Sequence, residues 1–203
     1  IRLASLYAGI KFRLRNILRK DEIIRKERDY RKKVCDILGE DSFEFDKDID
    51  CITVKSINDI SVAKILRDEN PDVILVKGTS IVKDLTLPNG VFNFNMHSGL
   101  SPYYRGASSI RWALINQDPF NIGVTIHSLN EMPDAGDIIV QKRIIPDDQD
   151  TISSIAMKIT REGTSLALMI LKKKYAGSSI KFFKQDLTLG KCYYTSHWSP
   201  ELT

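Results

Sequence analysis

An asparagine and a histidine two positions apart, Asn95 and His97, follow an apolar run in the stretch NFNMHSGLSPYYRG of residues 93–106. In an extended segment alternate side chains share a face, so these two point away from the side that carries Phe92 and Phe94. An amide N–H and an imidazolium N–H that converge on one point can stabilise a developing oxyanion. A hydrogen-bonded loop amide beside a structural histidine is the alternative, and residue types alone do not separate the two.

The same stretch continues with Pro102, Arg105 and Gly106, which predict a rigid turn before the opening of a helix. A guanidinium fixed beside helix N–H groups suits an anion such as phosphate. We therefore predict that Arg105 and Gly106 contact an anionic substrate group. Bracing of the loop by Arg105 through backbone carbonyls is the alternative.

The elements that must position these residues are predicted from periodicity. Apolar β-branched runs at 49–55, 73–77 and 91–95 predict strands, and residues 60–70 predict a helix capped by Asn58, with a short helix after 79. Continuous apolar strands that alternate with helices indicate a parallel sheet covered on both faces. The predicted fold is therefore α/β, with a Rossmann-like, mostly parallel sheet flanked by helices. Ligands of such sheets bind beyond the carboxyl ends of the strands.

The second half of the chain extends this pattern. A helix is predicted at 107–117, and two apolar runs around GVTIHSLN and DIIVQKRIIP are separated by a Pro- and Gly-containing loop. That spacing is typical of a hairpin, which predicts an antiparallel addition to the sheet. A long helix at 151–175, capped by Asp150, precedes a tail that we expect to run along the surface.

Charge is distributed unevenly along the chain. The net charge is +4, yet residues 1–33 hold 12 of the 30 Lys and Arg and carry +8. Apolar residues at helical spacing over 1–20 and a charged stretch over 21–40 predict two basic helices. A solvated helix face is the favoured interpretation, and contact with a membrane surface or an anionic ligand is the alternative.

Composition bounds the class of protein. No apolar run is long enough to span a bilayer and no signal peptide precedes the body, so we expect one domain over residues 1–203, with a cytoplasmic location. The three cysteines, Cys35, Cys51 and Cys192, are widely spaced and form no CxxC pair. Neither a disulfide framework nor a metal site is therefore predicted.

Two motifs in correct order resemble the family of formyltransferases that use N10-formyltetrahydrofolate. NMHSGLSPYYRG carries that family's Asn-x-His, Leu-x-Pro and Arg-Gly elements, and GVTIHSLNEMPDAGDII at 123–139 carries its Asp-Ala-Gly triplet. The resemblance runs from residue 49 through the DIIVQ strand, including PDVILVKGTSIV at 71–82. It implies that Asn95, His97 and Asp134 are catalytic.

The resemblance also implies a mechanism and a cofactor site. Asn95 and His97 stabilise the oxyanion formed when an amine attacks the formyl carbon, while Asp134 keeps His97 charged and helps to move the proton. The pterin of N10-formyltetrahydrofolate is expected against backbone groups of two loops. These are Gly78, Thr79, Ser80 and Ile81 in one loop and Glu131, Met132 and Pro133 in the other, and a plain turn is the alternative for them. His127 has a precedent in the family, but a structural role is favoured for it and for Trp112, and His197 lies in the poorly matched tail.

The front of the chain departs from the family pattern, which opens with a strand, a helix and a second strand before the position of Ile49. Residues 1–48 instead predict a basic helical segment. Either the first sheet strands are absent or this branch has a helical insertion. Residues 49–150 form the predicted catalytic core, and residues 151–203 form the C-terminal helix and tail.

The sequence therefore predicts an enzyme of one-carbon metabolism that transfers a formyl group to an amine of a small, phosphorylated or nucleotide-linked acceptor such as an amino sugar. Two alternatives stay open: a formyltetrahydrofolate hydrolase, which would use the same three residues, and a non-catalytic folate-binding module. No second domain that could bind tRNA is recognisable after residue 150. Nucleic acid is not an expected partner, whereas a homodimer is compatible with the sequence.

Overall fold

A computed structural model describes residues 3–7, 50–83 and 87–197. The chain divides into two compact units, one of residues 1–8 with 54–203 and the other of residues 9–53, and most of the second lies outside the described residues. The strands are β1 (Leu3–Tyr7), β2 (Val73–Lys77), β3 (Phe92–His97), β4 (Tyr104–Gly106), β5 (Gly123–His127), β6 (Ile138–Arg143) and β7 (Lys191–Tyr193). The α-helices are α1 (Ile60–Glu69), α2 (Ser109–Ile115) and α3 (Ile152–Tyr175).

Five strands form a mixed sheet in the order β1-β2-β3-β5-β6. β1, β2 and β3 run parallel, whereas β5 is antiparallel to both β3 and β6. The β5–β6 pair is the antiparallel addition predicted from the two apolar runs beyond residue 120. The α/β prediction is confirmed.

Alternate residues of β2 pack on opposite faces of the sheet. Val73 joins the larger core, which lies between the sheet and the helices α2 and α3. Ile74 and Val76 join a smaller core with Val62 and Leu66 of α1. The helices therefore cover both faces, as expected of a parallel sheet with continuously apolar strands.

The front of the chain differs from the sequence prediction. Leu3–Tyr7 is a strand paired with β2, so the predicted helix over 1–20 is wrong for these residues, and the rest of it and the helix at 21–40 lie outside the described residues. The strand has only five residues, LASLY, and the spacing of its four apolar residues is too short to distinguish helix from strand. The predicted strand at 49–55 is also wrong for residues 50–55, which form no strand and leave Ile52 61% exposed.

Helix boundaries shift by one residue at two predicted caps. Asp59, not Asn58, caps α1 by accepting the Ser61 N–H at 3.0 Å. Thr151, not Asp150, caps α3 through a reciprocal capping box with Ser154. In both cases two adjacent residues can cap, and the backbone geometry decides between them. Residues 80–83 are not helical, and 84–86 lie outside the described residues.

The tail contributes a second, two-stranded sheet, because β7 pairs in parallel with β4. Tyr193 stacks on Trp112 and on Tyr104, with ring centroids 4.7 and 5.8 Å away. The tail therefore anchors the segment that follows β3. None of the helices in the described ranges is long and apolar enough to cross a membrane.

Candidate active site

The pairing of β3 with β5 collects the polar side chains of both strands on one face of the sheet. Asn95 lies opposite His127 and His97 lies opposite Thr125 in the antiparallel register. Residues directly opposite each other in such a pair share a face. Phe94 and Met96 point to the other side, into the larger core. Because side chains alternate between the two faces of β3, Asn95 and His97 lie on the same face, as the sequence pattern predicted.

The Asp134 carboxylate lies at the centre of this place, and its two oxygens contact different partners. Oδ1 accepts from Asn95 Nδ2 at 2.9 Å and lies 3.3 Å from His127 Nε2. Oδ2 lies 3.2 Å from His97 Nδ1 and accepts the Gly106 N–H at 2.8 Å. The structure thus places Asn95, His97 and Asp134 in direct contact. It adds His127 and Gly106 to the same cluster.

The groups around Asp134 keep its carboxyl group ionised. Burial alone would raise the pKa of this carboxyl, but the charges of His97 and His127 and the hydrogen bonds from His127 and the Gly106 N–H together lower it to about 2. Asp134 is therefore ionised throughout the physiological pH range.

His97 is subject to two opposed effects. Burial lowers its pKa, and this outweighs the raising effects of the Asp134 carboxylate and of the hydrogen bond to Tyr104 O, while His127 lowers it further. The prediction that Asp134 raises the pKa of His97 is correct for the effect of that carboxylate and wrong for the net direction. His97 is only 7% exposed. The sequence does not show this degree of burial.

The far side of the His97 ring is also fixed. Its Nε2 lies 2.9 Å from the Tyr104 carbonyl oxygen and 3.3 Å from Ser109 Oγ. Gly99 leaves room for the ring, since a Cβ at that position would lie 2.5 Å from His97 Nε2. Both ring nitrogens therefore face oxygens, so the geometry stabilises the charged ring against the effect of burial.

Two side chains hold the backbone of Asp134, and sequence reasoning missed both. Ser101 Oγ and Gln185 Nε2 donate to the Asp134 carbonyl oxygen at 3.3 and 3.0 Å, and Gln185 also binds Gly136 O. Asp134 itself has φ of 48°, in the left-handed region. Gln185 lies 51 residues away in the tail. No sequence pattern connects it with the site.

Arg105 and Gly106, which are predicted to contact the same anionic group, have different surroundings in the structure. The Gly106 N–H is directed at Asp134, and α2 begins three residues later with no side-chain cap at Ser108. Arg105 is 8% exposed, lies opposite Cys192 in the β4–β7 register, and its buried Nε has no hydrogen-bond partner. The Arg105 side chain therefore lies beside the tail rather than among the groups around Asp134.

The two loops expected to contact the pterin both carry exposed residues. Gly78 follows β2 with φ of +62°, and a Cβ there would meet no atom within 4 Å. Ile81 and Met132 are 47% and 50% exposed. Val82 and Leu129, next to these loops, pack in the same small core, which brings the loops to one region.

The remaining predicted loop residues have local contacts or none. Thr79 Oγ1 donates to Ser80 O at 2.8 Å, and Glu131 is exposed beside half-buried Pro133. His197 is exposed and packs edge-on against Tyr194, outside the cluster around Asp134.

Comparisons with known proteins find formyltransferases among the relatives of this chain. A methionyl-tRNA formyltransferase from Ehrlichia canis (strain Jake) is 37% identical over 130 residues, which cover 61% of this chain and 41% of that relative. The chain thus spans about two fifths of the length of this curated relative.

Solved structures share the fold at lower identity. The formyltransferase PseJ from Anoxybacillus kamchatkensis superposes with a TM-score of 0.56 at 21% identity, over 85% of this chain and 82% of that one. A 4-N formyltransferase from Francisella tularensis gives 0.54 at 23% identity, over 68% and 62%. The sequence model of the formyl transferase family matches residues 26–171, which include Asn95, His97 and Asp134. The chain belongs to the formyl transferase family.

Proposed function

We propose that this protein transfers the formyl group of N10-formyltetrahydrofolate to an amine of a small, phosphorylated or nucleotide-linked acceptor. The observation that carries the proposal is the direct contact of Asp134 with both Asn95 and His97 in a member of this family. Two structural neighbours support the choice of donor and acceptor. An N-formyltransferase from Helicobacter canadensis is described in complex with folinic acid and dTDP-3-aminofucose. PseJ is described with tetrahydrofolate and a UDP-linked formamido sugar.

The residues on the two exposed loops fit a pterin ring. Open space beside Gly78 lets a flat ring approach the backbone, and Ile81 and Met132 offer apolar surface. When bound there, the folate would supply the formyl carbon that the acceptor amine attacks.

The chain's own residues would then handle charge and protons. Asn95 Nδ2 donates to the oxygen that gains negative charge. The protonated His97 ring, whose two nitrogens face Asp134 and Tyr104 O, stabilises that charge electrostatically. Asp134, ionised and next to His97, stabilises the charged ring and receives the proton that the attacking nitrogen loses. Because the His97 pKa is low, the charged ring requires this carboxylate.

Arg105 supports the assignment of an anionic acceptor. The residue is 8% exposed, and its buried Nε has no hydrogen-bond partner. A buried donor left unpaired on a cation is unfavourable, so an arriving phosphate would be bound strongly there. We expect Arg105→Ala to raise KM for a phosphorylated amine at least tenfold more than for a matched neutral amine. Equal losses on both amines would show that Arg105 only braces the β4–β7 pair.

The direct test incubates the purified protein with N10-formyltetrahydrofolate and a panel of amines, and follows products by mass spectrometry. The panel contains nucleotide-linked amino sugars, small phosphorylated amines, their neutral counterparts and methionyl-tRNA. Formylated small acceptor and tetrahydrofolate in equal amounts would support the proposal. Formate released without an acceptor would indicate hydrolysis, and formylated methionyl-tRNA alone would overturn the acceptor assignment. Folate binding without turnover would indicate a binding module.

A further inference from the structure

His127 lies closer to the reacting groups than its predicted structural role requires. The ring is 2% exposed and sits opposite Asn95 in the β3–β5 register. Its Nδ1 lies 2.7 Å from the Ser128 carbonyl oxygen, which can only accept, so Nδ1 carries a hydrogen. Its Nε2 lies 3.2 Å from Asn95 Nδ2 and 3.3 Å from Asp134 Oδ1. One ring nitrogen therefore faces a donor and an acceptor at once.

The protonation state of His127 decides which of these two contacts is a hydrogen bond. In the neutral ring Nε2 can only accept, so it takes one hydrogen of the Asn95 amide. The other amide hydrogen goes to Asp134 Oδ1 at 2.9 Å. Both hydrogens are then used inside the protein, and neither is available to a substrate oxygen. In the protonated ring Nε2 can only donate, so it binds Asp134 Oδ1 and releases the Asn95 hydrogen.

The titratable groups that face His127 are few. Asp134 contacts it from the loop before β6, and the His97 ring lies 6.4 Å away, centroid to centroid, on β3. Its register partner on β6 is the apolar Ile138. Among the described residues, Asp134 and His97 are therefore the titratable groups nearest the His127 ring.

We propose that His127 is a positioning residue which, when neutral, holds the Asn95 amide away from the substrate and, when protonated, releases one Asn95 N–H to the reacting carbonyl oxygen. This inference rests on the proposed function for its catalytic consequence. The hydrogen-bond exchange itself does not depend on it. His127 thereby links the electrophilic strength of the site to pH.

The exchange is tested first without any reaction. The chain has three histidines, so ring signals in a labelled protein are assigned from single His→Gln variants. We expect the Asn95 side-chain amide signals of the wild type to shift in a pH titration with the same midpoint as the His127 ring signals. His197→Gln, outside the site, should leave that shift unchanged. Asn95 amide signals that do not shift when the His127 ring signals shift would overturn the proposal.

The catalytic consequence is tested with His127→Gln, which keeps a hydrogen-bonding amide but cannot titrate. The ratio of wild-type to variant rate at saturating substrates cancels the ionisation of the acceptor amine. We expect a ratio of about 10 at pH values below the measured midpoint of the His127 ring signals, which corresponds to one additional hydrogen bond to the reacting oxygen, and a ratio of about 1 above that midpoint. Because His127 lowers the pKa of His97, we expect that pKa to rise in the variant. It is measured in both proteins by the same ring signals, and each rate is divided by the fraction of protein with protonated His97 before the ratio is taken.

The outcomes separate the two proposals. A ratio that does not change with pH in folded variants would overturn the role of His127 while leaving formyl transfer intact. If no acceptor is formylated by the wild type, the proposed function fails, and the amide signals of Asn95 still decide whether His127 controls that side chain.

Discussion

At the scale of single residues, the site is organised around one carboxylate. Asp134 receives an amide N–H from Asn95 and a backbone N–H from Gly106, and it contacts the rings of His97 and His127. Four partners on one carboxylate fix both its position and its ionisation. Each of these side chains can be removed separately, which makes their contributions measurable.

Asn95→Ala removes the amide donor. Loss of one oxyanion donor typically reduces kcat by about 10²–10³, and we expect a loss in that range with little change in KM for folate. Asn93→Ala is the matched control, because Asn93 lies on the same strand but bonds Val91 O and the Leu129 N–H instead. Steady-state kinetics of both variants measure the difference. A similar loss in the two would show that Asn95 is only structural.

The ionisation of Asp134 predicts how stability depends on pH. Its pKa is 3.8 in an unfolded chain and about 2 in the folded one, so the folded state is favoured by about 2 kcal/mol above pH ~4. This stabilisation is lost as pH falls from about 4 through about 2. His97 acts in the same direction, since its lowered pKa means that acid protonates the unfolded chain first.

Urea unfolding of wild type and Asp134→Asn at about pH 6 and about pH 2.5 measures this contribution. We expect the difference in the free energy of unfolding between the two proteins to shrink by about 1–2 kcal/mol at the lower pH. A difference that is the same at both pH values would show that the carboxylate charge does not stabilise the fold.

At the scale of elements, a buried hydroxyl joins β5 to the loop that follows β3. Thr125 is fully buried, donates to Gly99 O at 2.7 Å and accepts the Ser101 N–H at 3.0 Å. This loop carries the glycine against which His97 packs. The hydroxyl therefore fixes the position of the His97 ring relative to the sheet.

Thr125→Val keeps the shape of the side chain and removes these two hydrogen bonds and a third, which the hydroxyl accepts from Gln141 Nε2 at 2.9 Å. We expect the free energy of unfolding to fall by about 1–3 kcal/mol, because the Ser101 N–H is left buried without a partner. Thr164→Val on the exposed side of α3 is the control and should change stability by less than about 0.5 kcal/mol. Chemical denaturation provides the comparison. Equal effects at the two positions would contradict the role given to this hydroxyl.

The elements also show what sequence could predict. β2, β3, α1, α3 and the β5–β6 pair follow from apolar periodicity, because each is long or regular enough for its period to be read. Asn95 and His97 follow from alternation on β3. β1 was missed because five residues carry too little periodicity, and its partner is about 70 residues away. Gln185 was missed because its contact with the Asp134 carbonyl depends wholly on tertiary structure.

At the scale of the whole molecule, the proposed cofactor site is formed by loops from two parts of the chain. The loop after β2 and the loop before β6 lie about 50 residues apart in sequence and meet over one small core. Only the folded chain brings them together. A ligand that requires both loops must therefore stabilise the fold.

We expect tetrahydrofolate at about 100 times its Kd to raise the free energy of unfolding by about 2.7 kcal/mol, which corresponds to a rise in Tm of about 5–10 °C. Differential scanning fluorimetry over a concentration series checks this. A p-aminobenzoyl-glutamate fragment without the pterin is the control and should shift Tm far less. No shift with the reduced folate would contradict the assignment of the two loops.

The pairing of β4 with β7 has a consequence for how the protein is made. A ribosome delivers Asn95, His97 and Asp134 well before Gln185 and residues 191–193, yet those later residues hold the Asp134 carbonyl and the strand that contains Gly106. A nascent chain that has emerged only as far as α3 has the sheet strands but not these two restraints. The groups that hold Asp134 are therefore completed after most of the sheet is available, so a chain released early would bear the motifs of the family without a properly held carboxylate.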